Sequence, residues 1–400
     1  MNGPLEGIKV VDCSIWLQGP MTGALLADLG ADVIKVEQLG QGDPFRGLTS
    51  GSLELGARDL GFETINRNKR GVALDLRKQE GTAVLYKLVG KSDVFLHNLR
   101  PQAAERLGLG YETLCRLNPG LIYSQASGWG LKGPDSDKGA FDSSAAARTG
   151  LMYITGEPGV PPPQRAAVTI CDVSGSLCLA LATVSALQAR ERLGRGQMVD
   201  TSIFGATMTL IRWPLTFALA YGFDLPLQPR SETVNPLNNF YKCADGEWIY
   251  LVMMQFDRYW SAFCEVMGIK ELEKDPRFEN MMAMMNNSKE IIPILDRIFS
   301  TKTRAEWMQI FAERDFQFAP IQRTVDLAND PQAIANDYIM EYDHPAYGRE
   351  KVVGLPYKFS ETPGSLRYPC PQFGQHTEEV LLEFGYTWDD IARLKEEQII

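Results

Sequence analysis

Two hydrophobic rhythms alternate along the first 130 residues. Short apolar runs such as "IKVV", "DVIKV", "GVALDL", "DVFLHN" and "GLIYSQA" read as buried strands. Strands covered on both faces lose the two-residue alternation of an exposed sheet. Between them lie "GPMTGALLADLG", "KQEGTAVLYKLVG" and "YETLCRLNP", which read as helices. Gly30 ends the first of these. Strand and helix taken in turn predict an α/β architecture, a Rossmann-like doubly wound parallel sheet. Ligands on such sheets lie beyond the carboxyl ends of the strands, so the residues just after each strand are the candidates for a site. The first turn, "SIWLQGP", has no GxGxxG, which argues against a dinucleotide site.

Further on, "VSGSLCLALATVSALQARER" predicts a long helix over 173–192, stopped by Gly194 and Gly196. Asp172 stands immediately before it. Two roles fit that position: an N-cap that accepts hydrogen bonds from free amides, or a carboxylate kept as a nucleophile. "MVDTSIFGATMTLI" gives a strand and another helix. The Pro- and Asn-rich stretch 222–240 reads as a linker, and "YKCADGEWIYLVM" as a hairpin. Helical segments follow between 256 and 315, and two short helices close the chain. At 400 residues the chain exceeds what one core usually holds. The composition shift over 222–240 predicts that a second, smaller domain follows the α/β one.

Composition narrows the function. A net charge of −10 argues against nucleic acid as a partner, while leaving room for a small anion at a local basic cluster. Seven scattered Cys with no CxxC, and no leader pattern, predict a reduced cytoplasmic protein. Three His without ligand spacing give no metal site. Asp, Arg and Pro interrupt the apolar stretches, so no membrane span is expected. Lys35, Arg46, Arg67, Lys69, Arg70, Arg77, Arg100 and Arg106 crowd the first 110 residues. Singly each reads as a solvated cation; together, at the strand ends of one sheet, they suit a polyphosphate. His97 reads as a packed histidine or a general base, and Asp142 as a cap or a helper carboxylate. Met281, Met282, Met284 and Met285 read as adaptable packing.

Several motifs in order carry a resemblance. "GPMTGALLADLGADVIKVEQLGQGDPFR", "NRNKRGVALDLRKQEG", "DVFLHNLRPQAAERLGLGYETLCRLNPGLIYSQASGWGLKGP", "DVSGSLCLALATVSALQARERLGRGQMVDTSIFGA" and "FGQHTEEVLLEFGY" resemble the class III coenzyme A transferases. This is the formyl-CoA transferase and carnitine CoA-transferase family. The likeness is strongest over 5–210. It implies a large domain built from both chain ends, 1–220 and 329–400, a smaller α+β domain over 221–328, and an interlocked ring-like homodimer. It also implies that Asp172, followed by Gly175, is the nucleophile. Asp172 would attack a donor acyl-CoA to give a mixed anhydride and CoA thiolate. The thiolate would then form an aspartyl-CoA thioester, which an acceptor carboxylate attacks in turn. Coenzyme A and acyl-CoA enter as substrates, with no permanently bound cofactor and no metal.

The same resemblance implies CoA contacts at Leu74 and Arg77, Asn98 and Leu99, and Arg106. It puts Gln18 beside the thioester. Gln38 stands where the oxalate-type enzymes carry an arginine, with Arg46 a possible substitute. Phe141 stands where the racemases of this fold carry a histidine, which leaves two-base proton transfer short of one base. "SETVNPLNNFY" lacks the glycine run of the oxalate enzymes, which disfavours oxalate. Trp16 and Phe141 would instead line a roomier, more apolar acyl pocket. Two alternatives remain at this stage: an acyl-CoA racemase or isomerase of the same fold, and a CoA-binding protein without turnover.

Overall fold

The computed structural model of the chain describes residues 3–48, 58–156 and 169–400. Its described residues fall into two compact units. The first takes in the chain up to 155, then 169–224, and 340–400. The second takes in 225–339.

The first unit is built on six parallel strands: β1 (Lys9–Asp12), β2 (Asp32–Gln38), β3 (Lys69–Leu74), β4 (Val94–His97), β5 (Ile122–Ser127) and β6 (Met198–Ser202). Their spatial order is β3-β2-β1-β4-β5-β6. That is the doubly wound order, which reverses direction between β1 and β4. Register is set by apolar partners, Val10 beside Val33 and Val94, and Val11 beside Ile34 and Phe95. The pleat sends neighbours to opposite faces. Val10, Val33, Leu96 and Ile122 pack under one layer with Leu26 and Leu179. Val11, Ile34, Phe95 and Tyr123 pack under the other with Leu85, Leu88, Leu114 and Leu381. Burying each such side chain is worth about 1.5–3 kcal/mol, which explains why apolar residues on these strands point to both faces.

The helices that matter for the site are α1 (Gln18–Asp28), α2 (Pro101–Arg106), α3 (Asp142–Thr149), α4 (Ile170–Leu193), α5 (Ile203–Leu210) and α6 (Arg212–Tyr221). Helix α4 starts three residues earlier than the pattern predicts and ends where Gly194 adopts φ 65°. The expectation that no segment could span a membrane is corrected here. At 24 residues, α4 is long and apolar enough by length and composition. Half of its most apolar stretch is buried within this chain. Its Thr183 hydroxyl meets Ser124 of β5 at 2.7 Å. Packing against the sheet is therefore one source of its apolarity.

The second unit has a three-stranded antiparallel sheet, β7 (Phe240–Lys242), β8 (Trp248–Leu251) and β9 (Phe318–Ile321). The hairpin is the one the sequence suggests, and β9 adds an edge that it does not. Helices Phe256–Met267, Met281–Phe299 and Arg304–Ala312 cover an aromatic core around Phe263, Phe299, Trp307 and Phe311. Met284 belongs to that core, while Met282 and Met285 are exposed. Strands β10 (Ile339–His344) and β11 (Gly348–Val353) form a separate pair that begins at the 339/340 boundary between the units. Their mixed, half-exposed residues give no periodic signal.

Candidate active site

A cleft of about 410 Å³ opens at the carboxyl ends of β1, β4 and β5, where the strand order reverses. Its walls include Trp16, Gln18, Asn98, Gly128, Phe141 and Asp172. Asp172 is not the N-cap. Thr169 holds that place, and Asp172 is the third residue of the first turn of α4. The capping oxygen comes from elsewhere. Asp142 Oδ1, at the start of α3, accepts the N–H of Cys171 at 2.7 Å and of Asp172 at 3.0 Å. Asp142 is thus the cap of a neighbouring helix, one of the two roles its sequence position allowed.

The Asp172 carboxylate has no hydrogen-bond partner among the described residues. Burial, with a smaller push from the Asp142 charge, raises it from 3.8 to about 7. A poorly solvated, unpartnered carboxylate is a better nucleophile than a hydrated one. Gln18, the first residue of α1, lies beside it in the cleft and donates from Nε2 to the Thr201 carbonyl at 3.0 Å. Glycine at 175 leaves the Gln18 side chain its room against α4. A Cβ there would lie 2.7 Å from Gln18 Nε2.

The loop between β1 and α1 forms the facing wall. Trp16 adopts φ 66°, a left-handed conformation uncommon for a bulky residue. Its indole meets the Phe141 ring edge-on, with centroids 5.5 Å apart. Asn98 spends its amide on this loop, accepting Ile15 N–H at 2.9 Å and donating to Ile15 O at 2.6 Å. Leu99 lines the same cleft.

A second hollow, of about 390 Å³, brings Arg77 and Arg106 together with Lys78, Gln79 and Tyr86. Helix α2 links the two sites: Pro101 and Ala103 line the first, and Arg106 lines the second. Arg77 pairs with Asp75 at 2.8 Å, and Gln38 donates to the same carboxylate at 2.8 Å. Gln38 therefore lines neither hollow but steadies Asp75. Leu74 is fully buried in the sheet core, so its side chain reaches neither hollow.

Most of the basic scatter is already neutralised, which corrects the expectation of one joint polyphosphate site. Lys35 pairs with Asp43, Arg46 with Glu37, Arg67 with Asp28, Lys69 with Asp12 and Arg70 with Asp32. Arg46 grips Glu37 through two nitrogens and does not stand in for the charge absent at Gln38. Arg100 lines the Asp172 cleft. His97 is fully buried between Phe95 and Tyr123, and its Nδ1 accepts Leu99 N–H at 3.2 Å. Burial drives it down to about 3, so it is neutral and packed rather than a general base. Among the described residues, no group of three or more His, Cys, Asp or Glu is placed to hold a metal.

A half-buried carboxylate with a raised pKa thus stands at the switch point of a doubly wound sheet, and a hollow lined by two arginines lies one short helix away. Sequence comparison gives the class. The family model for CoA-transferase family III matches residues 5–377, and the chain belongs to that family. It is 34% identical over 400 residues to the (R)-2-hydroxy-4-methylpentanoate CoA-transferase of Clostridioides difficile, covering 99% of both chains. It is 34% identical over 403 residues to the succinyl-CoA–D-citramalate CoA-transferase of Chloroflexus aurantiacus, covering 99% of this chain and 98% of that one. A CAIB/BAIF family protein from Brucella suis shares the fold, with a TM-score of 0.86 and 29% identity over 96% of this chain and all of that one. The chain is accordingly an enzyme that moves CoA between an acyl-CoA and a carboxylic acid. This sets aside the racemase and the non-catalytic binding protein.

Proposed function

We propose that Asp172 carries the transfer covalently. Its carboxylate attacks the thioester carbonyl of the donor, the carbon–sulfur bond breaks, and CoA leaves as a thiolate from an aspartyl–acyl anhydride. The thiolate then attacks the aspartyl carbonyl and releases the donor acid. The acceptor carboxylate attacks the aspartyl-CoA thioester, and the returning thiolate takes the new acyl group and restores Asp172. Each step exchanges one activated acyl group for another, so no external energy source is required. The observation that carries this reading is the Asp172 carboxylate in the cleft, without a hydrogen-bond partner among the described residues and raised to about 7 chiefly by burial. Gln18 is the polar group placed to steady the reacting carbonyl.

The CoA nucleotide is assigned to the hollow of Arg77 and Arg106, with the pantetheine arm following α2 to Asp172. Arginine suits phosphate through its planar, permanently charged fork. The Trp16–Phe141 pair favours a branched or aromatic acyl group. The Clostridioides relative, named for a branched hydroxy acid, agrees with that choice. Arg100 and Lys138 line the same cleft and favour a second reading, a dicarboxylic acyl group held at its far end. A matrix of CoA donors against acceptor acids separates the two. Branched acids should turn over best, and preference for succinate would select the second. Asp172→Ala should abolish every transfer in the matrix; normal transfer by that variant would refute the mechanism.

The active assembly is assigned as a homodimer working in the cytoplasm. Helix α6 buries none of its residues, and Trp213, Leu219 and Tyr221 stand exposed beside Phe223. An apolar face of that kind usually meets a partner. Sedimentation equilibrium should give twice the chain mass, and Trp213→Glu should shift it toward the monomer. A wild-type monomer would refute the assignment.

A further inference from the structure

The wall that bears Trp16 is held by charges buried beneath it. Asp43 is fully buried and serves both sides of the loop. Its Oδ1 accepts Trp16 N–H and Phe45 N–H, each at 3.0 Å. Its Oδ2 takes Lys35 Nζ at 2.8 Å, and the same ammonium donates to Ser14 O at 2.9 Å. Asp12 accepts Ser14 N–H at 2.9 Å on one oxygen and Lys69 Nζ at 2.9 Å on the other. With Asn98 on Ile15, the loop from Ser14 to Trp16 is pinned by side chains from β1, β2, the turn after β2 and the end of β4. A left-handed tryptophan persists only where its surroundings over-determine it. The Asp43 bond to its amide is the direct constraint.

Resting on the reading of Trp16 and Phe141 as acyl-pocket walls, we propose that Asp43, paired with Lys35, is a positioning residue that sets acyl-group selectivity. It does so by locking Trp16 in its left-handed conformation. Without the lock, Trp16 relaxes to an ordinary backbone conformation and the indole leaves its edge-on contact with Phe141. The pocket then loses the surface that rewards a bulky apolar acyl group. Lys35 keeps its charge, because the carboxylates of Asp43, Asp12 and Glu37 together outweigh the opposing effect of burial.

The test follows from what an asparagine can do at this place. Its single carbonyl oxygen cannot serve Lys35 and the two amides at once. The buried ammonium takes the oxygen, leaving an NH2 group against Trp16 N–H. Removing the charge of Lys35 as well returns the oxygen to Trp16. The readout is the ratio of kcat/KM for 4-methylpentanoyl-CoA to that for acetyl-CoA, with one fixed acceptor. A pocket contact of this size is worth about 10-fold or more in such a ratio. Asp43→Asn and Trp16→Gly should each lower the ratio about 10-fold. Asp43→Asn/Lys35→Met should return it to within about 3-fold of wild type. Asp43→Asn added to Trp16→Gly should change it no further.

An unchanged ratio in Trp16→Gly overturns the inference even if Asp43→Asn fails to fold. So does an Asp43→Asn effect that persists undiminished in the Trp16→Gly background. A wild type that transfers both acyl groups through Asp172 with no preference overturns the apolar-pocket reading itself, and this inference with it.

Discussion

Replacing Asp172 by Asn should make the protein more stable while it destroys transfer. The folded chain holds the Asp172 proton until about pH 7, against 3.8 for an ordinary aspartate, chiefly because burial disfavours the charge. At ~1.4 kcal/mol per pH unit the ionised group costs the fold up to about 4 kcal/mol. Partial exposure to water reduces that, so about 2–4 kcal/mol is the working range. The sign follows from proton binding. Between pH 4 and 7 the folded state binds more protons at this site than the unfolded state. Stability therefore falls as pH rises through that window, and the full cost is present above it. Asn carries no charge at any pH. Urea unfolding of both proteins at several pH values checks the argument. The advantage of Asp172→Asn should be about a third of its full size at pH 5, grow toward pH 7, and level off at about 2–4 kcal/mol by pH 8. An advantage that does not vary with pH, or a variant less stable than wild type at pH 8, would refute the reasoning.

Three further outcomes are expected. The kcat/KM of the wild type should rise with pH about a midpoint near 7, as Asp172 ionises; Asp142→Asn should move that midpoint down, because a neighbouring negative charge is gone. Asp142→Ala should also cost about 1–2 kcal/mol in urea unfolding, since it leaves two N–H groups of α4 without their acceptor. Gly175→Ala should lower kcat/KM about 10-fold by displacing the Gln18 amide; the double variant with Gln18→Ala should be no worse than Gln18→Ala alone, and an additive loss would argue against that route.

Much of this was legible in the chain because burial leaves a simple signature. Strands β1 to β5 contribute to the cores on both faces of the sheet and appear as short Val-, Ile- and Leu-rich runs without strict alternation. Strands β9 to β11 are short, edge-lying or half-exposed, and nothing in their composition separates them from loop. At the site, Asp172 stood out as a lone carboxylate before an apolar helix. Its place inside the first turn did not, because the cap comes from Asp142, 30 residues earlier. The cations were misleading for a related reason. Sequence shows that Lys69 and Lys35 exist, but not that Asp12 lies 57 positions from one and Asp43 eight from the other. Ion pairing is a property of the folded neighbourhood. Among the described residues, it left Arg100 and Arg106 as the cations of that set at the two hollows with no ion pair to a carboxylate.

The covalent role of Asp172 is the centre of this account, and trapping it is the most direct measurement. The enzyme is mixed with an acyl-CoA donor without acceptor, quenched with hydroxylamine, digested, and read by mass spectrometry. The account requires an aspartyl hydroxamate at Asp172, dependent on the acyl-CoA and absent from Asp172→Ala. An unmodified Asp172 under conditions where transfer runs at full rate would contradict it.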